Sequence, residues 1–145
     1  YGVWESGYNS TEADPRGIEA DGNLDGIYPD HLRQSDFAVE NMTIVNNAAN
    51  TTDNADRMQD VIKIRRGAKT TITNALVKGS GGTIDLIDMN DSKGAGNAAS
   101  SISITYTLNF KNKLNGTLNT FTEPTTNTGA DASLFTWSGY NFSSL

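Results

Sequence analysis

The chain has 145 residues, a length that suits one domain with a modest core and leaves little room for two. Hydrophobic residues make up 36% and charged residues 19%, and the remainder is dominated by Asn, Thr, Ser and Gly. Those residues favour turns, side-chain ladders and β-edges over helices, so the composition points to an all-β protein. A net charge of −6 repels phosphate backbones and argues against a nucleic-acid partner. The absence of cysteine removes disulfide frameworks and thiolate metal sites.

No stretch approaches the roughly 20 apolar residues that span a bilayer as a helix, and no basic segment followed by an apolar run opens the chain. The start at Tyr1 fits a trimmed product and an internal fragment equally. Residues 1–36 are rich in Gly, Asp, Asn and Pro, with Val3, Trp4, Tyr8, Ile18, Ile27 and Tyr28 scattered without a helical period, and read as a loop-rich lead-in. From Phe37 to Val45 the residues are β-prone, and the polar run Asn46 to Asp56 reads as a loop. Val61 to Arg65 and Thr70 to Val77 form two strands around the corner at Gly67. Thr83 to Met89 and Ser101 to Phe110 follow, separated by a second polar loop. Residues 112–130 are polar and low in complexity, and Leu134 to Phe142 is an aromatic tail suited to folding over an open end.

The segment Val39 to Asn46 aligns with Ile72 to Gly79, 33 residues later. Each copy has a β-branched residue followed two positions on by Asn, at Asn41 and Asn74. In a solenoid such spacing stacks apolar side chains into a continuous column and lets the Asn at a bend ladder its amide to its neighbour's. Short strands between glycine corners also serve a sandwich, and the repeat favours the solenoid. The fold expected is therefore a right-handed parallel β-helix (β-solenoid) fragment: one domain over 1–145, with lead-in 1–36, coils 37–110, and a polar linker and terminal cap over 111–145.

The stretch Asp36 to Asp88, above all Asn41-Met42-Thr43-Ile44-Val45 and Ile64 to Gly79, resembles the later coils of β-helical surface proteins of the Bacteroidota, and Gly17-Ile18-Glu19-Ala20-Asp21 resembles a segment that precedes them. The resemblance covers the first two-thirds of the chain. It implies an extracytoplasmic location, at the outer membrane or secreted, with upstream coils of the same polypeptide or other envelope proteins as partners. It transfers no active site.

Among motifs that carry chemistry, Asp21-Gly22-Asn23-Leu24-Asp25-Gly26 places oxygen side chains at Asp21, Asn23 and Asp25 with glycine sixth, as a Ca²⁺ loop does. Leu32 stands at the twelfth position, so a full EF-hand is excluded and a partial loop completed by Asp30, Glu19 or distant carbonyls remains, and the same residues also make ordinary tight turns. Asp85, Asp88 and Asp91, with Asp60, offer the paired carboxylates of a glycoside-cleaving enzyme. Carboxylates at strand ends also bond nearby backbone N–H groups, and that is the role expected of them. Lys63, Arg65 or Arg66 could serve as a lyase base, but Lys63 and Arg65 read as a solvated strand face. His31 is the only histidine and reads as a loop residue. Trp4, Tyr8, Tyr28, Trp137 and Tyr140 could stack on sugars, while Trp137, Tyr140 and Phe142 are expected to cap a core. Sequons at Asn9, Asn41, Asn50, Asn115 and Asn141 follow from an Asn- and Thr-rich composition.

No catalytic residues are assigned from the sequence. The function expected is a non-enzymatic cell-surface or secreted solenoid that binds glycans or envelope partners or serves structurally, with Ca²⁺ as the candidate cofactor. The alternatives are a carbohydrate-active β-helix enzyme, either lyase or hydrolase, and a self-assembling envelope component.

Overall fold

The computed structural model describes residues 2–6, 15–23, 34–47, 58–81, 83–130 and 132–139. Among the described residues ten strands follow one another: β1 (Gly2–Ser6), β2 (Ile18–Asp21), β3 (Asp36–Glu40), β4 (Met42–Asn46), β5 (Met58–Arg65), β6 (Lys69–Gly79), β7 (Thr83–Asp88), β8 (Ser101–Tyr106), β9 (Asn112–Asn115) and β10 (Thr120–Thr122). They form two sheets. The first has the order β1-β4-β6-β8-β10, with β3 also paired to β6, and the second has the order β2-β5-β7-β9. Every strand pair is parallel. The chain thus alternates between the sheets and climbs one rung at each return, which makes the molecule an all-β parallel β-helix.

Parallel pairing places one residue type over another, and the apolar residues form columns. In the first sheet Trp4, Ile44, Val77 and Tyr106 are successive partners, as are Val39, Ile72, Ile102 and Phe121. In the second sheet the column is Ile18, Ile62, Ile87 and Leu114. The inner members are fully buried, and both sheets contribute to one core. The outer members Trp4, Tyr106, Val39, Phe121, Ile18 and Leu114 are only partly buried. Each fully buried aliphatic side chain contributes about 1.5–3 kcal/mol relative to exposure.

The 33-residue repeat is a pair of stacked rungs. Val39 lies opposite Ile72 and Ile44 opposite Val77. Between these points Asn41 and Asn74 adopt the left-handed backbone, with φ of 55° and 52°, a region that Asn enters more readily than most residues. The bend shifts the alternation by one: in β6, Thr70 and Ile72 are buried before it, and Ala75 and Val77 after it. Asn74 Nδ2 donates to Asn41 Oδ1 at 2.6 Å, which is the amide ladder expected from the sequence. β8 has no such bend, so its register against β6 slips by one residue between Ile72 and Ala75. The chain after β10 fills the gap. Thr128 N donates to Asn74 Oδ1 at 2.7 Å, Asn127 Nδ2 donates to Ser103 Oγ at 3.1 Å, and Ala130 N donates to Thr43 Oγ1 at 2.9 Å. Gly129, at φ 65°, permits this approach, because a Cβ there would lie 2.2 Å from Thr43 Oγ1.

Two expectations are corrected. The coils are not confined to 37–110: β1 and β2 lie inside the expected lead-in, and β9 and β10 inside the expected linker. These strands have three to five residues, too few to establish an alternating pattern in polar surroundings. The aromatic tail does not place Trp137 over the core. It lies in a 3₁₀ helix, Ala132–Ser138, with 82% of its surface exposed, and the preceding segment runs along the first sheet. Tyr140 and Phe142 lie outside the described residues.

Asn74→Ala removes both the left-handed preference and the amide ladder, and is expected to cost about 1–3 kcal/mol. Asn74→Gly keeps the backbone conformation and should cost less. Urea unfolding followed by circular dichroism measures both, and an Ala variant as stable as the native chain contradicts the role given to the bend.

Candidate functional site

The densest set of charged side chains lies on the second sheet, and register explains it. Glu19, Lys63, Asp88 and Asn115 are successive partners, with Asp21 opposite Arg65 alongside. A parallel sheet holds such neighbours about 4.8 Å apart, so like charges would repel and opposite charges pair. Lys63 Nζ donates to Asp88 in a buried ion pair. Asp88 Oδ1 also accepts from Asn115 Nδ2 at 3.0 Å and from the Asn90 backbone N–H at 2.9 Å. Asn90 Nδ2 in turn donates to Asn115 Oδ1 at 2.8 Å.

Arg65 joins three carboxylates. It grips Asp21 with two donors, Nε to Oδ1 and Nη2 to Oδ2, the second at 3.1 Å. Its Nη2 also donates to Glu19, and its Nη1 lies 3.6 Å from Asp91. Arg66, at φ 55° in the corner after β5, lies 3.6 Å from the other Asp91 oxygen. The Arg65 hydrogen bond holds the Asp21 carboxyl below the usual carboxylate range, against the opposing effect of burial. Asp91 is lowered first by the Lys93 backbone N–H and then by Arg66 and Arg65. The Asp21 hydrogen bond makes the Arg65 guanidinium hold its proton more firmly, the reverse of what a general base requires.

Beside this ladder, Asp60, Asp85 and Asn112 are successive partners. The two aspartates are buried, Asp60 at 4% and Asp85 at 7% exposure. Arg16 Nε donates to Asp60 Oδ1 at 2.6 Å, and Asn112 Nδ2 donates to Asp85 Oδ1 at 2.7 Å. The structure therefore brings Asp60 and Asp85 together, sets Asp88 on the adjoining ladder, and places Asp91 beyond the strand against the arginines.

Several expectations change here. Lys63 and Arg65 do share a face, but it is a paired, partly buried one and not a solvated one. Asp88 and Asp91 bond nearby backbone N–H groups as expected of strand-end carboxylates, whereas Asp85 bonds a side chain one rung away. Asp21 and Asn23 stack on the Arg65–Arg66 corner: Gly22 N and Asn23 N donate to the carbonyls of Arg65 and Arg66 at 3.1 Å each. Gly22 is required for this approach, since a Cβ would lie 2.0 Å from the Arg66 carbonyl oxygen. Of the expected Ca²⁺ ligands, Asp21 is gripped by the Arg65 guanidinium, and Asp25 lies outside the described residues. Among the described residues no group of three or more His, Cys, Asp or Glu side chains is arranged to hold a metal. His31, Tyr8 and Tyr28, with the sequons at Asn9, Asn50 and Asn141, also lie outside them. Trp4 heads a core column. Arg16 and Asn112 were not singled out by sequence reasoning, Glu19 was noticed only beside the Ca²⁺ loop, and Asn115 only as a sequon. Their partners in this sheet lie 44 or 27 positions away, and no fixed period exposes them.

A family model described as "Pectate-lyase like beta helix domain" matches residues 1–140. No curated protein and no solved structure matches the chain. No helix among the described residues is long and apolar enough to cross a membrane.

The lowered carboxyl of Asp21 binds a proton less readily folded than unfolded. It adds stability that is fully present above the unfolded value, about 3.9, and lost as pH falls through the lower folded value. Arg65→Met should therefore destabilise the chain at pH 7, and the gap to the native chain should narrow below about pH 4. Urea midpoints across pH measure this, and a gap independent of pH contradicts the pairing.

Proposed function

Because the chain belongs to the pectate-lyase-like β-helix domain family, we propose that it is a non-enzymatic β-solenoid module, extracytoplasmic at a bacterial cell surface or secreted, that serves as a structural or binding scaffold. The observation that carries this reading is the compensation within the charged face. Asp21, Asp60, Asp85 and Asp88 each engage an Arg, Lys or Asn side chain from a neighbouring rung. A carboxylate engaged in this way stiffens the coil stack. Using it for acid–base chemistry would first mean breaking an ion pair at Asp21, Asp60 or Asp88, or the Asn112 hydrogen bond at Asp85, and removing one partner of a buried ion pair costs about 3–5 kcal/mol. The surface location rests on the likeness of Asp36 to Asp88 to Bacteroidota surface solenoids.

A second reading, a carbohydrate-active enzyme, is favoured by one observation: Asp60 and Asp85 are buried register neighbours, as paired carboxylates acting on a glycosidic bond are neighbours. A broad panel of neutral and acidic polysaccharides, assayed for new reducing ends and for unsaturated products, separates the two. The scaffold reading predicts no turnover. Cleavage that Asp85→Ala abolishes while the circular dichroism spectrum is unchanged would establish the enzyme instead.

A further inference from the structure

The sequence contains one Asn-Gly pair, Asn115-Gly116, and the fold has a use for both halves of it. Gly116 adopts φ 119°, a conformation that L side chains rarely enter, and a Cβ there would lie 2.9 Å from the Met89 Cβ. Glycine is therefore required where the chain leaves β9. Asn115 stands next in the column that runs Glu19, Lys63, Asp88. Its Nδ2 donates to Asp88 Oδ1 at 3.0 Å, and its Oδ1 accepts from Asn90 Nδ2 at 2.8 Å.

An asparagine followed by glycine is an amide prone to self-modification, because no side chain on the next residue hinders the approach of its backbone nitrogen. The Gly116 nitrogen attacks Asn115 Cγ and gives up its proton to water. The bond from Cγ to the side-chain nitrogen breaks, and that nitrogen takes a proton from water and leaves as ammonia. Water then opens the resulting succinimide ring at either carbonyl, giving aspartate or isoaspartate at position 115. Gly116 is exposed and lies past the last register pair of β9, so solvent reaches this peptide. The Asn90 amide donates to the oxygen on which negative charge develops during the attack. The Asp88 hydrogen bond restrains the leaving nitrogen, but β9 is joined to β7 by only three register pairs, and an element so lightly held opens locally.

The neighbours give the change a consequence. In the native column a neutral side chain faces Asp88, and it donates one of the three hydrogen bonds that Asp88 accepts. A carboxylate at position 115 donates nothing and stands about 4.8 Å away, one rung from a like charge. Isoaspartate adds a methylene to the backbone between Leu114 and Gly116, which displaces the Asn115 carbonyl that accepts from Met89 N.

We propose that Asn115 is a self-modification site, at which loss of ammonia turns the neutral neighbour of Asp88 into a carboxylate and loosens β9 from the second sheet. Neither the scaffold nor the enzyme reading requires this change, and its failure leaves both standing.

Incubating the folded chain at mildly alkaline pH, with intact mass and peptide mapping over time, tests the site. Position 115 should convert before any other asparagine, to a mixture of aspartate and isoaspartate, and the urea midpoint of the converted chain should fall. Asn115→Asp should lower the midpoint further than Asn115→Ala, which loses the same hydrogen bonds without gaining a charge. An amide at 115 that outlasts other asparagines of the folded chain overturns the proposal. So does its survival over a time in which the urea-unfolded chain has converted there. An Asn115→Asp variant as stable as Asn115→Ala overturns the repulsion by Asp88.

Discussion

Parallel, in-register stacking is the constraint on which the rest of this structure depends. Each rung lays its strand beside the equivalent strand of the next, so whatever occupies a position meets its own kind about 4.8 Å away. For aliphatic residues this is favourable at every step, and Ile62 over Ile87 or Ile72 over Ile102 forms a core without any helix. For charged residues the same geometry is costly unless the sign changes from rung to rung. The outer face of the second sheet meets that demand by ordering Glu19, Lys63, Asp88 and Asn115 in sequence.

Backbone shape obeys the constraint as well. A bend in one rung must be matched by a bend in the next or the register slips. Asn41 and Asn74 match, and they bond through their amides. β8 lacks the bend and the register does slip, and residues 127–130 supply the hydrogen bonds that a third Asn would have made.

This constraint also separates what the sequence made legible from what it hid. The 33-residue repeat was visible because its two rungs share a bend, so their Asn and β-branched residues keep one spacing. The remaining rungs return after 40, 30 or 19 residues in the first sheet, as Gly2 with Met42, Thr71 with Ser101 and Ser101 with Thr120 show. Unequal loops destroy a period while leaving the stacking intact, which is why β1, β2, β9 and β10 escaped notice. The partner of Asp21 was hidden for a related reason. Spacing within Asp21-Gly22-Asn23 is compatible with a cation loop, and only the position of Arg65, 44 residues away, identifies the guanidinium as its partner.

Register between rungs is thus the central claim, and a chain without cysteine allows it to be measured directly. Thr71 and Ser101 are opposed across β6 and β8. With cysteines at both positions, a bifunctional reagent whose reach matches the strand spacing should cross-link the monomer rapidly. The pair at 73 and 101, offset by two residues, should react far more slowly. Equal reaction of the two pairs, or preference for the offset pair, would contradict the stacking described.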